Sequence, residues 1–410
     1  MKRQKKQIYL DGAANSPLDK KVIGAMKPYI KAGFCGNSNS AHWYGAVSDG
    51  AVEKARDQIA KALGGIPKDQ VLFTSGATES NNWVIKSLAL SQLSLPEDER
   101  RTDIVCSAGE HASVINACES LKPLGFRIRY VPLGNDGHTC PSLFKSRITR
   151  NTLLVCLMAV NNETGVENDA EKVAFFSHQK GAKILIDATQ AFSKGGKSMD
   201  ITERFPRYDF VSLSSHKLYG PTGVGALIAK TKSELIPLMD GGSQESGLRG
   251  GTHNVAAIVG FGKAMELMSQ NDFSKHFSRL VDRLTDDMVS FNSRSGDSRK
   301  VWYNVYPEKG TSIVNLYVKG GSGYPNMAEA LASVGVACSA GAACSASSEG
   351  QEPSHVLKAM DMSNERISDS FRLSFTKFTT IDDIDGFVER LAELLARTAV
   401  EQTEESRNGK

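Results

Sequence analysis

No stretch of this 410-residue sequence is long and apolar enough to cross a bilayer, so a membrane span is not expected. The basic tip 1–6 (Met-Lys-Arg-Gln-Lys-Lys) is followed by no apolar run of the kind a secretory signal requires. Cysteine is sparse and irregular: Cys35, Cys106, Cys118, Cys140, Cys156, Cys338 and Cys344 contain no C-x-x-C pair. That spacing excludes a disulfide framework and argues against a structural zinc site; reduced thiols fit a cytoplasmic protein. An excess of one charge is missing too. The 49 Lys and Arg against 46 Asp and Glu leave +3, which marks no nucleic-acid surface, and direct nucleic-acid binding is not expected. There is no internal repeat and no low-complexity block. Hydrophobic content of 40% and charged content of 23% are those of a globular chain with room for two domains.

What the middle of the chain does have is alternation. Short apolar runs at 71–74, 103–107, 127–131, 152–158, 183–187, 210–213 and 225–229 read as strands, with helical patterns between several of them. This predicts an α/β domain with a mostly parallel sheet covered on both faces, whose ligands bind at the carboxyl ends of the strands. After the glycine-rich segment 240–252 the pattern changes. Helices are expected from 256 to about 291, a strand at 311–318, and further helices near Met327 and Ser354, which together read as a smaller α+β domain. The division expected is 15–262 for the large domain and 1–14 with 263–400 for the small one, with 401–410 a polar, disordered tail.

Polar residues gather where those strands end. The richest segment is 212–225, Ser-Leu-Ser-Ser-His-Lys-Leu-Tyr-Gly-Pro-Thr-Gly-Val-Gly, and upstream of it 185–190 reads Leu-Ile-Asp-Ala-Thr-Gln. Alone, Ser-His-Lys is as good a surface turn as a site. Flanked by strands, Lys217 and Asp187 are what a pyridoxal phosphate (PLP) enzyme needs: an amine to condense with the aldehyde and a carboxylate for the protonated pyridine nitrogen. Gln190 suits the ring hydroxyl, and Ser214 and His216 suit the phosphate or ring hydroxyl. The turn 75–79 (Ser-Gly-Ala-Thr-Glu) opens a helix, so Ala77 and Thr78 serve either a phosphate at the helix N-terminus or a plain N-cap. His111 just past a strand is an aromatic ring able to stack on the pyridine and shuttle protons, or an ordinary loop histidine. Asn161 and Asn162 end another strand, with amides for a cofactor hydroxyl or a substrate carboxylate, in what is otherwise a common turn. Thr252, in a glycine loop, can reach the phosphate, in many PLP enzymes from a partner subunit.

These residues, in this order, closely resemble the NifS/IscS-like cysteine desulfurases of the class V aminotransferase family. The likeness runs from 9–14 (Tyr-Leu-Asp-Gly-Ala-Ala) through Gly36-Asn37, 75–79, 161–163, 187–190 and 215–217 to 371–374 (Phe-Arg-Leu-Ser). The run 339–347 (Ser-Ala-Gly-Ala-Ala-Cys-Ser-Ala-Ser) is similar to the loop that carries the nucleophilic cysteine in the group I branch. The resemblance implies a PLP-dependent homodimer of fold type I that takes sulfur from L-cysteine, leaving alanine and a persulfide on Cys344. It implies Lys217 as the lysine bound to the cofactor and His111 as the stacking acid/base residue. Asp187 then meets the pyridine nitrogen, and Gln190 with Asn161 the ring. Ala77, Thr78, Ser214, His216 and the partner's Thr252 hold the phosphate, while Asn37, Asn161 and Arg372 grip the substrate carboxylate. An arginine suits that last task because its planar fork binds a carboxylate bidentately.

The attacking thiol must reach the pocket and then carry its sulfur out. Small residues on both sides of Cys344 predict an open, mobile loop, whereas Cys338 follows a strand-like run and reads as packed filler. Three features depart from the family pattern: Ser246 where relatives often carry arginine, Ser193 in place of a frequent glycine, and a 345–352 segment longer by roughly two residues. The longer segment leaves the sulfur acceptor open among iron–sulfur assembly, tRNA thiolation and DNA phosphorothioation. A selenocysteine lyase or a class V aminotransferase on the same fold are the competing activities; transamination needs no thiol, so Cys344 counts against the second. A catalytically dead scaffold fits poorly, because every predicted reactive group is present.

Overall fold

The computed structural model describes residues 6–192, 199–294, 299–340 and 353–408. Cys344, Ser193 and the segment 345–352 lie outside the described residues. The strands are β1 (Ile8–Tyr9), β2 (Val71–Thr74), β3 (Asp103–Ser107), β4 (Arg127–Val131), β5 (Thr152–Met158), β6 (Lys183–Asp187), β7 (Phe210–Ser214), β8 (Gly225–Ala229), β9 (Lys300–Tyr303), β10 (Ile313–Lys319), β11 (Val336–Ala337) and β12 (Ser370–Ser374). The first eight helices are α1 (Lys20–Ile30), α2 (Trp43–Ala62), α3 (Ala77–Leu93), α4 (Ala112–Glu119), α5 (Pro141–Arg147), α6 (Ala170–His178), α7 (Ile201–Arg204) and α8 (Val255–Ser269). The rest are α9 (Ser274–Arg294), α10 (Met327–Ser333), α11 (His355–Ala359), α12 (Asn364–Ser368) and α13 (Ile381–Asn408).

Seven strands form the central sheet in the order β2-β8-β7-β6-β5-β3-β4. The pairs β3/β4, β3/β5, β5/β6 and β6/β7 are parallel; β8 runs antiparallel to both β2 and β7. Every residue of β5, β7 and β8 is buried, as a sheet covered on both faces demands. Each fully buried Val, Ile or Leu contributes about 1.5–3 kcal/mol, which lets the strand ends carry polar residues without loss of the sheet. One apolar cluster lies under α2 and α8, and a second lies under α3 and α4 on the other face.

The smaller unit joins a three-stranded antiparallel sheet, β12-β10-β9, to the parallel pair β1-β11. Its core combines Phe277, Leu284, Leu316, Phe371 and Leu391 with Ile8 and Leu10 of the N-terminal segment. Met268 still packs in the large core and Phe277 in the small one, so the apolar cores change over between α8 and α9, past residue 262. Phe273, between those helices, touches both cores. The tail expected to be disordered from 401 is instead the end of α13, helical through Asn408. Its Glu, Gln and Arg residues are good helix formers, and composition alone weighed their polarity without that propensity.

Gly225 opens β8 opposite both Thr74 and Ser214. A Cβ there would meet the Leu213 carbonyl oxygen at 2.5 Å and the Gly76 Cα at 2.6 Å, and both are backbone. Gly225→Ala is therefore expected to cost about 1–3 kcal/mol in a denaturant titration, because β7 or the start of α3 must move. An unchanged unfolding midpoint would contradict this.

Candidate active site

The carboxyl ends of β2, β3, β5, β6 and β7 open on one cavity of about 390 Å³. Ala77, Thr78, His111, Asp187, Gln190, Ser214, His216, Lys217 and Arg372 line it, together with Ala13, Ser113, Asn162 and Thr189. Of the twelve site residues expected from the sequence that lie among the described residues, nine meet here; Asn161, Asn37 and Thr252 do not.

Asp187 ends β6, paired with Met158 on one side and Ser212 on the other, and is 3% exposed. Its Oδ1 accepts from the Thr189 N–H at 3.0 Å and its Oδ2 from Asn81 Nδ2 at 2.9 Å. The same Asn81 amide donates to Ser113 Oγ at 3.0 Å, and Ser113 Oγ lies 2.9 Å from His111 Nδ1. The Ser113 backbone N–H also donates to Nδ1 at 3.1 Å, as His111 caps α4. A backbone N–H can only donate, so Nδ1 accepts and the neutral ring carries its proton on Nε2. A hydrogen-bonded chain thereby joins the carboxylate to the imidazole. Sequence reasoning passed over Asn81 and Ser113. The available signal was helical spacing, since Asn81 stands one turn beyond Ala77 and Thr78 on α3.

Behind this chain Glu110 is fully buried, with Oε1 accepting from the Met158 N–H at 2.6 Å. Burial, and then the neighbouring charge of Asp187, hold its carboxyl well above the usual carboxylate range.

Lys217 lies in the short 3₁₀ turn Ser215–Lys217 that follows β7. Its Nζ donates to the carbonyls of Ala13 at 2.7 Å and Ala14 at 2.6 Å, and Gln190 Nε2 donates to the same Ala13 carbonyl at 2.9 Å. His216 Nδ1 is 2.9 Å from Ser214 Oγ. Burial, then the charge of Lys217, lower its imidazole from 6.5 to about 4, so the ring is uncharged at neutral pH.

Arg372 enters from the small domain on β12, opposite Asn315 of β10, and is 1% exposed. It donates to the Asn162 carbonyl at 2.8 Å, to Asp11 Oδ1 at 2.8 Å and to Ser339 Oγ at 3.0 Å. Asn161 departs from expectation. Its Oδ1 accepts from the N–H groups of Glu163 and Thr164, and its Nδ2 donates to the Gly109 carbonyl, so the amide is committed to the turn. Its neighbour Asn162 faces the cavity instead. Both asparagines lie in the turn after β5, and its hydrogen bonds hold the first amide away from the cavity.

Asn37 and Thr252 do not line this cavity either. Asn37 Oδ1 accepts from the Asn39 N–H, and Thr252 is exposed. Their loops are fastened to one another by Ser38 Oγ with His253 Nδ1 at 2.9 Å and Asn39 Nδ2 to Ser243 Oγ at 3.2 Å. Cys338 packs against the small-domain core, and burial, then Asp11, push its thiol up to about 12, which rules it out as a thiolate at neutral pH.

The donor set fits a planar phosphorylated pyridine. It offers a buried carboxylate for a ring N–H, an amine for an aldehyde and the first turn of a 17-residue helix for a phosphate. Among the described residues Thr189 Oγ1 at the cavity wall is buried without a partner, a spare group for such a ring. The fold and site are those of a class-V aminotransferase: that family's model matches residues 8–387, and the chain belongs to the family. Within it, the chain is 35% identical over 402 residues to the cysteine desulfurase IscS of Dictyoglomus turgidum, covering 96% of this chain and 95% of that one. A solved NifS-like protein superposes with a TM-score of 0.83 at 28% identity, over 95% of this chain and all of that one. A structure of SspA in complex with cysteine gives 0.75 at 30% identity, covering 91% of this chain and all of the other.

The neutral state of His216 has a measurable consequence in the cofactor-free protein. Between pH 6.5 and 4 the unfolded chain binds a proton there that the folded chain does not, so this residue removes stability as pH falls through that window. His216→Gln is expected to lose less stability than the parent between pH 7 and pH 5, read from urea midpoints. Equal losses would refute the assignment.

Proposed function

We propose that the protein is a PLP-dependent cysteine desulfurase, converting L-cysteine to L-alanine and retaining the sulfur as a persulfide on Cys344. The observation that carries it is the meeting in one cavity of a lysine, a strand-end carboxylate and a buried arginine from the other domain, within a chain of this family. Lys217 is the amine that would hold the cofactor aldehyde, and Asp187 would keep the proton on the pyridine nitrogen. Bound there, the cofactor supplies the electron sink that makes the substrate Cα–H acidic.

The rest is work for the chain's own groups. The Lys217 amine would take the Cα proton on Nζ, with the Ala13 and Ala14 carbonyls as its resting acceptors. His111 stacks on the ring and offers its Nε2 proton, its orientation fixed by Ser113. Ala77, Thr78, Ser214 and His216 hold the phosphate, Gln190 serves the ring hydroxyl, and Arg372 with Asn162 receives the substrate carboxylate. The Cys344 thiolate then attacks the substrate sulfur. The new S–S bond forms as Cβ–S breaks with its electron pair left on carbon; Cβ takes one proton, and the proton held on Lys217 Nζ returns to Cα to give alanine.

The pocket is completed in a homodimer. Supporting this, the joined loops of Asn37 and Thr252 do not line their own chain's cavity, and Trp43, a few residues on from Asn37 at the start of α2, is 70% exposed. Thr252 reaches the phosphate of the partner's site in this reading. A protein acceptor receives the persulfide sulfur for iron–sulfur clusters, tRNA thiolation or DNA phosphorothioation. The cytoplasm is the proposed location, on the free thiols Cys106, Cys118 and Cys156 in the core.

Cys344→Ser is expected to abolish alanine formation from cysteine while the visible absorbance of bound PLP persists; Lys217→Ala is expected to lose the covalently held cofactor. Full alanine yield from the Cys344 variant would remove that thiol from the mechanism. A dimer mass in sedimentation is expected, and a monomer binding PLP at full affinity would contradict the role given to Thr252.

A further inference from the structure

A guanidinium has five N–H groups, two on each Nη and one on Nε. In Arg372, Nη1 gives one to the Asn162 carbonyl, and Nη2 spends both of its own, on Asp11 Oδ1 at 2.8 Å and Ser339 Oγ at 3.0 Å. Nε–H is buried and has no acceptor among the described residues. Ser339 Oγ closes the triangle by donating to Asp11 Oδ1 at 2.8 Å. A carboxylate that docks bidentately takes two parallel N–H groups from one edge, either Nε with Nη2 or Nη1 with Nη2. Both poses require an Nη2 hydrogen, and both Nη2 hydrogens are in use.

We propose that Asp11 is a resident carboxylate that competes with the substrate's α-carboxylate for Arg372, and so sets substrate affinity and the demand for a charged carboxylate. The proposal rests on the reading that Arg372 receives the substrate. Asp11 is a positioning residue in this scheme, held by the fold and not by the ligand. Its segment forms a bridge with Ser374 two residues along β12 from Arg372, and a Cβ on Gly12 would meet Thr376 Cγ2 at 2.8 Å and the Phe375 carbonyl at 2.9 Å. The segment therefore lies hard against β12 and delivers the Asp11 side chain to the guanidinium. Without a ligand, Asp11 spares a 1%-exposed cation from being buried alone. With one, a full negative charge is needed to win Nη2 from it; an amide or ester of the same amino acid lacks that charge. Ser339 is bound to both members of the pair and shifts partners in the same exchange.

The two roles of Asp11 pull in opposite directions when it is neutralised, and this makes the test. In the PLP-loaded enzyme, L-alanine titrated by calorimetry reports carboxylate binding without turnover. Asp11→Asn is expected to bind alanine about tenfold more tightly, while its thermal unfolding midpoint falls. Ser339→Ala, which frees one Nη2 hydrogen with little threat to folding, is expected to tighten alanine by about threefold. A purely structural role for Asp11 predicts that stability and affinity fall together. Unchanged or weaker alanine binding in Ser339→Ala and in Asp11→Asn, alongside a large loss in Arg372→Lys, would overturn the competition alone. Unchanged binding in Arg372→Lys would overturn the placement of the substrate on Arg372, and the proposal with it.

Discussion

The carbonyls of Ala13 and Ala14 receive the Lys217 amine, and the geometry of both domains is arranged around that contact. The N-terminal segment that carries them is threaded between the domains. Ala13 N–H donates to Ser374 Oγ at 2.9 Å on the small-domain side, and Ser16 exchanges hydrogen bonds with His216 and Tyr219 on the large-domain side. Farther along, Lys377 bonds Asp19. An ammonium in a buried cleft must find acceptors, and backbone carbonyls supply them without adding a charge that would change with pH. The same segment brings Asp11 to Arg372, so one short stretch of chain meets both cations of the cavity.

Asp187 presents the complementary problem, an anion at the end of an apolar strand. It is met by donors only: a backbone N–H and the Asn81 amide. Neutral donors compensate a charge in a low-dielectric site while leaving it able to attract a proton on a ligand. Asn81 then passes the constraint through Ser113 to His111, so the imidazole and the Asp187 carboxylate on the cavity wall are fixed by one chain of contacts. Glu110, its carboxyl raised by burial behind them, adds volume and a contact to the Met158 N–H.

Much of this was legible in the sequence, and what was not has physical reasons. The strands of the central sheet were readable because parallel, doubly covered strands are continuous apolar runs bounded by polar ends. Those ends are where Asp187, Gln190, Ser214, His216 and Lys217 stand. β1 and β11, two residues each, are set by pairing with one another and carry no periodic signal of their own. Asn161 and Asn162 are chemically identical in sequence, and only the turn's hydrogen bonds decide which one faces the cavity. Asn81 and Ser113 are silent for a related reason: a polar residue within a helix reads as surface until the fold turns it toward a carboxylate. The tail at 401 was read from polarity, while α13 continues on helix propensity.

The end of the cavity proposed for the phosphate is lined without added cations. His216 is neutral, and Ser214, Thr78 and the first turn of α3 offer only dipoles. Glu79 stands in that first turn and would repel a dianion if it turned inward. It is drawn aside, with Oε2 accepting from the Ser75 N–H at 2.8 Å and Arg249 forked across both oxygens at 2.9 and 3.2 Å. Burial works against its charged form, but these bonds prevail and hold its carboxyl below the usual range. The helix start is thus left with its own partial positive charge for the ligand. In the proposed reading a phosphate there would be held by dipoles and hydroxyls, which would leave the charged groups of the cavity, Lys217, Asp187 and the Arg372–Asp11 pair, to act on the amino acid.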